Sequence, residues 1–227
     1  MSLEVDPAAL HRLLSWMSPS YPVGAYTYSH GLEWALECGD VRGVDGVRGW
    51  LDGVLRHGSG RSDAALLTQA WQARDREALL EVMDLAWALA PSRERRLETG
   101  SQGRAFLDAT VNAWPCARLD WLAGQAPERL PYPVVVGLAA AGHGVPLEAM
   151  LHAYLHGFVA NLVSAAVRLV PLGQSDGQRL VAAFSTVIDA VVAEVLADPV
   201  ASVGGCALLA DIASMRHETQ YSRLFRS

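Results

Sequence analysis

His152 and His156 stand four residues apart in "LHAYLHGF". On a helix that spacing puts both imidazoles on one face, as two ligands of a transition metal require. A metal site needs more than two ligands, and no Asp, Glu or Cys follows nearby. The pair therefore reads first as structural or interface histidines, with a small helical metal-binding enzyme as the alternative. His217, beside Glu218, reads in the same way as a hydrogen-bonding or partner-contacting residue. The stretch "SPSYPVGAYTYSHGLEWALE" (18–37) crowds Tyr26, Tyr28, Ser29 and His30 ahead of Glu33, after a loop stiffened by Pro19 and Pro22. Amphipathic aromatics and hydroxyls at a helix start, expected near Tyr26, suit either a binding surface or a buried, well-capped turn.

Other chemistry is missing. There is no Gly-x-x-x-x-Gly-Lys phosphate loop, no nucleophile elbow and no His-Glu-x-x-His. "HGSGRSD" (57–63) follows a helical pattern, has no Lys and reads as a tight turn between helices.

The elements that must position these residues are helical. Val47, Trp50, Leu51, Val54 and Leu55 form one apolar stripe, and Leu180, Phe184, Val187, Ile188, Val191 and Val195 form another. Asp6-Pro7 and Pro146 open helices, Ser175 and Gln178 suggest a capping box, and Asp198-Pro199 closes the second stripe. Residues 76–90 are helix formers stopped by Pro91. "YPVVVGLA" is the best strand candidate, but it runs into Ala- and Gly-rich sequence that reads better as helix. Residues 124–133 read as a surface connection. The expectation is an all-α fold, one helical domain over 1–227 of roughly eight to ten helices, with 211–227 as a C-terminal tail.

The 227 residues are 51% hydrophobic and 19% charged, with net charge −6, a globular composition without the basic field of a nucleic-acid binder. Every basic residue is Arg, a planar fork suited to carboxylates and interfaces. Three scattered cysteines and an N-terminus lacking a basic, apolar leader fit a reducing, cytoplasmic setting. Residues 149–167 contain no Asp, Glu, Lys or Arg and approach spanning length. His152, His156 and Asn161 inside them favour a central buried helix over a membrane span.

Five blocks together resemble one family. "SPSYPVGAYTYSHGLEWALE", "RERRLETGSQGRAFL", "YPVVVGLAAAGHGV", "VSAAVRLVPLGQSDGQ" and "DIASMRHETQYSRLFRS" are similar, in order, to the urease accessory protein UreF family. Ala25 departs from the second glycine usual there, which puts a positive φ at that position in doubt. The resemblance implies an all-α, homodimeric adaptor, not an enzyme. With UreD (also called UreH) it would recruit the GTPase UreG to apo-urease for nickel insertion. No cofactor would be bound stably: nickel would be the cargo, and GTP would be used by UreG. Inside the matched blocks, Glu33, Arg168 and Arg223 are each a charge in a mostly apolar or aromatic neighbourhood and are the expected UreG contacts. The tail, through Arg216, His217, Tyr221, Leu224, Phe225 and Arg226, would dock UreD/UreH. Aromatics and arginines are common interface anchors, and such a segment would gain order on its partner.

Overall fold

The computed structural model describes residues 5–227, so the leader expectation falls partly on residues 1–4, outside the described residues. Asp6 caps the first helix, Pro7–Trp16 (α1), accepting the Ala8 and Ala9 N–H groups at 3.1 and 3.3 Å. A 3-10 turn at Ala25–Thr27 precedes Leu32–Glu37 (α2), Gly43–His57 (α3), Ser59–Gln72 (α4), Arg76–Ala88 (α5) and Arg93–Ala113 (α6). Ala117–Gly124 (α7), Tyr132–Gly142 (α8), Leu147–Leu169 (α9), Gln174–Ala183 (α10), Ser185–Ala197 (α11) and Leu208–His217 (α12) complete the chain. Ten of these have ten residues or more, α2 and α7 are shorter, and no strand occurs among the described residues. The fold is all-α, as the periodicity predicts.

The strand-like "YPVVVGLA" is α8. Val134, Val135, Val136, Ala139 and Ala140 are all fully buried, which is how a helix apolar on every side behaves. Burial on all faces overrides the β-branched preference for strands. Gly137 makes this possible: a Cβ there would lie 2.4 Å from the Leu67 carbonyl of α4. Around this pair, α9 packs against α4, α10 and α11 in one apolar core. By length and composition, α9 and the run 174–197 could each cross a membrane. In this fold α9 is the central helix, with Leu151, Leu155, Val159 and Leu162 buried.

Three local expectations change. The helix expected near Tyr26 is only a 3-10 turn, because Gly24 (φ 71°), His30 (φ 55°) and Gly31 (φ 77°) repeatedly turn the chain left-handed and delay α2 to Leu32. Ala25 is not among the positive-φ residues; Gly24 takes that conformation. The capping box at Ser175 and Gln178 is replaced by an earlier start. Gly173 precedes α10, and its N–H donates to the Asp176 carboxylate at 3.3 Å. The stripe from Leu180 to Val195 is interrupted at Phe184, whose N–H is shared between the Leu180 and Val181 carbonyls. The turn expected over 57–63 is confined to Gly58, because α4 already starts at Ser59, and the connection expected over 124–133 occupies 125–131.

Candidate functional site

Segment 18–37 is pinned at its start by Tyr21. The Tyr21 hydroxyl pairs with the Thr110 hydroxyl at 2.8 Å, and its ring lies against Phe106 and Trp114. At its end, Gly31 lets α12 approach closely, since a Cβ there would lie 2.7 Å from the Ser214 nitrogen. Ser92 caps α6 through the Arg95 N–H (3.1 Å), and the Ser92 and Ser214 hydroxyls pair at 2.7 Å. These contacts bring the first turns of α2 and α6 beside the last turn of α12.

The charged groups meet there. His217 is fully buried, with Nδ1 2.7 Å from Glu94 Oε2 and Nε2 3.0 Å from Glu33 Oε2. Glu33 also accepts the Leu224 and Phe225 backbone N–H groups at 2.6 and 2.9 Å. Arg223 Nη1 donates to Glu94 Oε1 at 2.8 Å. Arg168, at the end of α9, donates to the Tyr26 carbonyl at 2.6 Å, and its guanidinium sits 4.4 Å over the Phe225 ring. The Ser227 carbonyl accepts from the N–H and hydroxyl of Ser29, and the Ser227 hydroxyl donates to Glu98 at 2.9 Å.

A polar layer lies beneath. Arg95 pairs with Glu98, and His30 Nε2 lies 2.9 Å from Glu98 Oε1 and 2.6 Å from Arg95 Nη1. Burial pushes the Glu98 carboxyl up, but Arg95 and His30 outweigh it and hold it at about 2. Burial, helped by the Arg95 charge, lowers His30 and favours its neutral form. Asp63 accepts the Tyr154 hydroxyl at 3.3 Å, and burial raises it to about 6 against the pull of Arg95. A cavity of about 160 Å³ opens beside Tyr26, Tyr28, His30, Asp63, Glu98 and Tyr154.

The structure therefore brings Glu33, Arg168, Arg223, His217 and Phe225 into one contiguous network, though they span nearly the whole sequence. Glu33, His217 and Phe225 are buried in it; Arg216, Tyr221, Arg223, Leu224 and Arg226 are exposed. The sequence expects a tail that gains order only on a partner. Here residues 218–227 lie on their own domain, because Glu33 offers an acceptor to two consecutive backbone N–H groups and Phe225 has a covered seat. Glu94, Arg95 and Glu98 are the buried charged residues of this site that sequence reasoning missed. The spacing of Glu94 and Glu98 in "RERRLETG" puts two carboxylates on one helix face, a signal that could have found them. His152 lies elsewhere, 3.6 Å from Asp189, and His156 is exposed. No cluster of three metal-ligating side chains occurs among the described residues.

The sequence profile of the UreF family matches residues 41–185. A protein named urease accessory protein UreF from Bradyrhizobium sp. (strain ORS 278) is 51% identical over 223 residues, covering 97% of this chain and 92% of the relative. One of the same name from Methylobacterium sp. (strain 4-46) is 53% identical over 218 residues, covering 95% and 87%. Another, from Methylorubrum populi, is 51% identical over 219 residues, covering 95% and 98%.

Proposed function

Because the chain belongs to the UreF family of urease accessory proteins, we propose that it is a cytoplasmic, homodimeric adaptor and not an enzyme. In this reading it joins UreD/UreH and recruits the GTPase UreG to apo-urease, whose active site receives the nickel. Nickel is the cargo of the assembly, GTP is consumed by UreG, and this chain holds no cofactor of its own.

One observation supports this reading above the others: the network joining α2, α6, α12 and the tail divides into a buried and an exposed half. Glu33, His217 and Phe225 fix the tail's course, and Arg168 covers Phe225. Arg216, Tyr221, Leu224 and Arg226 then face outward as two apolar anchors among arginines, the composition of interface hot spots. In this division Tyr221, Leu224, Arg216 and Arg226 touch UreD/UreH, with His217 and Phe225 setting their position. Arg223 contributes to UreG docking, with Glu33 and Arg168 acting through the tail they hold.

Co-elution of the purified chain with UreD/UreH and UreG tests this. A Tyr221→Ala/Leu224→Ala variant is expected to keep its helical content and lose UreD/UreH. Truncation after Met215 is expected to lose both partners. Full retention of both by the truncated chain overturns the reading.

A further inference from the structure

The cavity of about 160 Å³ runs from exposed residues at its rim, Pro19, Tyr26 and Ser164, to buried Tyr28, His30, Glu98 and Tyr154. Its wall is largely aromatic. The Tyr132 and Tyr154 rings lie 5.7 Å apart, and Phe158 meets His30 edge-on at 5.0 Å. Its charges are not balanced. Asp63, Glu98 and Arg95 line it, and Arg95 is paired with Glu98. Asp63 makes no ion pair among the described residues and accepts one hydrogen bond there, from the Tyr154 hydroxyl at 3.3 Å. A carboxylate has roughly four acceptor positions, so most of its capacity is unused. His30 adds a second unmet group. Its side chain is buried, its Nε2 is shared by Glu98 and Arg95, and its Nδ1 has no partner.

An unpaired carboxylate in such a place is costly until a cation meets it. The negative faces of aromatic rings attract the same charge. A metal ion fits the wall poorly, because no cluster of three metal-ligating side chains occurs among the described residues. Benzene fills an engineered cavity of about 150 Å³, so a guest of about six heavy atoms has room here. We propose that this cavity binds a compact organic cation, an alkyl-ammonium or alkyl-guanidinium group whose N–H groups meet Asp63 and His30 and whose carbons pack on the tyrosine and phenylalanine rings. The head group belongs either to a small free cation or to a Lys or Arg side chain of a partner entering past Tyr26. This inference goes beyond the adaptor reading and stands without it, because it concerns the isolated chain.

Titration of the full chain with millimolar ethylguanidinium, followed by the NMR shifts of the Tyr26, Tyr154 and His30 rings, tests it. Saturable shifts at all three are expected. Ethylurea, a neutral molecule of the same shape, should bind at least about tenfold more weakly, the loss of a charge-assisted contact. That comparison needs no variant. Asp63→Asn, which can still accept the Tyr154 hydroxyl, should weaken ethylguanidinium by a similar factor. Gly157→Leu should abolish binding by filling the cavity, since a Cβ there meets nothing closer than the Met17 carbonyl at 3.9 Å. No saturable shift, equal binding of ethylurea, or unchanged binding by Asp63→Asn overturns the proposal. A blocked pentapeptide with a central arginine separates the two sources. Competition with ethylguanidinium assigns the cavity to a partner's side chain, and binding of ethylguanidinium without competition assigns it to a free cation.

Discussion

At the scale of single residues, two buried carboxyls pull stability in opposite directions. Asp63 is raised from 3.8 to about 6 by burial. The folded state therefore holds its proton more tightly, and a destabilising contribution develops as pH rises from about 4 through about 6. Asp63→Asn can still accept the Tyr154 hydroxyl. It should gain on the order of 1–2 kcal/mol at neutral pH, less than the full shift implies because the residue is partly exposed, and nothing near pH 4. Urea unfolding at the two pH values measures both. Glu98 is the reverse case. Its folded value of about 2 lies below the usual 4.5, so its contribution is complete above 4.5 and disappears as pH falls through that interval. Glu98→Gln leaves Arg95 buried with a weaker partner and should cost roughly 3 kcal/mol at neutral pH, read from the same unfolding curves. Of this pair of layers, the sequence singled out Glu33, Arg168 and Arg223 as partner contacts and His217 as a hydrogen-bonding or partner-contacting residue. It did not show that Glu94 and Glu98 face them, because that depends on which side of α6 turns toward α12.

At the scale of elements, close approach at two glycines decides the arrangement. Gly137 sets the distance between α8 and α4. Gly137→Ala would put a Cβ 2.4 Å from the Leu67 carbonyl, and backbone cannot yield as a side-chain tip does. A loss of about 2 kcal/mol is expected, measured as a lower midpoint in thermal unfolding, with helical content unchanged at low temperature. Gly31 does the same for α2 and α12 and adds a φ of +77° that alanine resists. Gly31→Ala should destabilise by about 2 kcal/mol or more and also increase proteolysis of the tail, because α12 carries His217 away from Glu33. Protease resistance of the tail equal to wild type would show that α12 does not depend on this crossing. Helix identity and approximate ends were legible because apolar spacing and proline positions are local signals. The delayed start of α2 was not, since it depends on left-handed backbone at His30 and Gly31 that the fold imposes.

At the scale of the whole molecule, the two carboxyls together predict a shape for stability against pH. From these two groups alone, stability rises from pH 2 to about 4.5 as Glu98 ionises and falls from about 4 to about 6 as Asp63 does. A maximum between about 4 and 5 in chemical unfolding midpoints is expected. Asp63→Asn should extend that maximum to neutral pH as a plateau.

The sequence by itself determined the all-α class, most helix ends and the family, because periodicity, capping residues and ordered motif blocks are properties of the chain read in order. Tertiary structure alone decided that Glu33, Glu94 and His217 form one cluster and that the tail lies across it. Those residues come from three helices far apart in sequence, and their meeting depends on crossings permitted by a missing Cβ at Gly31. Burial is likewise a property of the packed molecule, so no local pattern announces that one carboxyl is driven up and another held down.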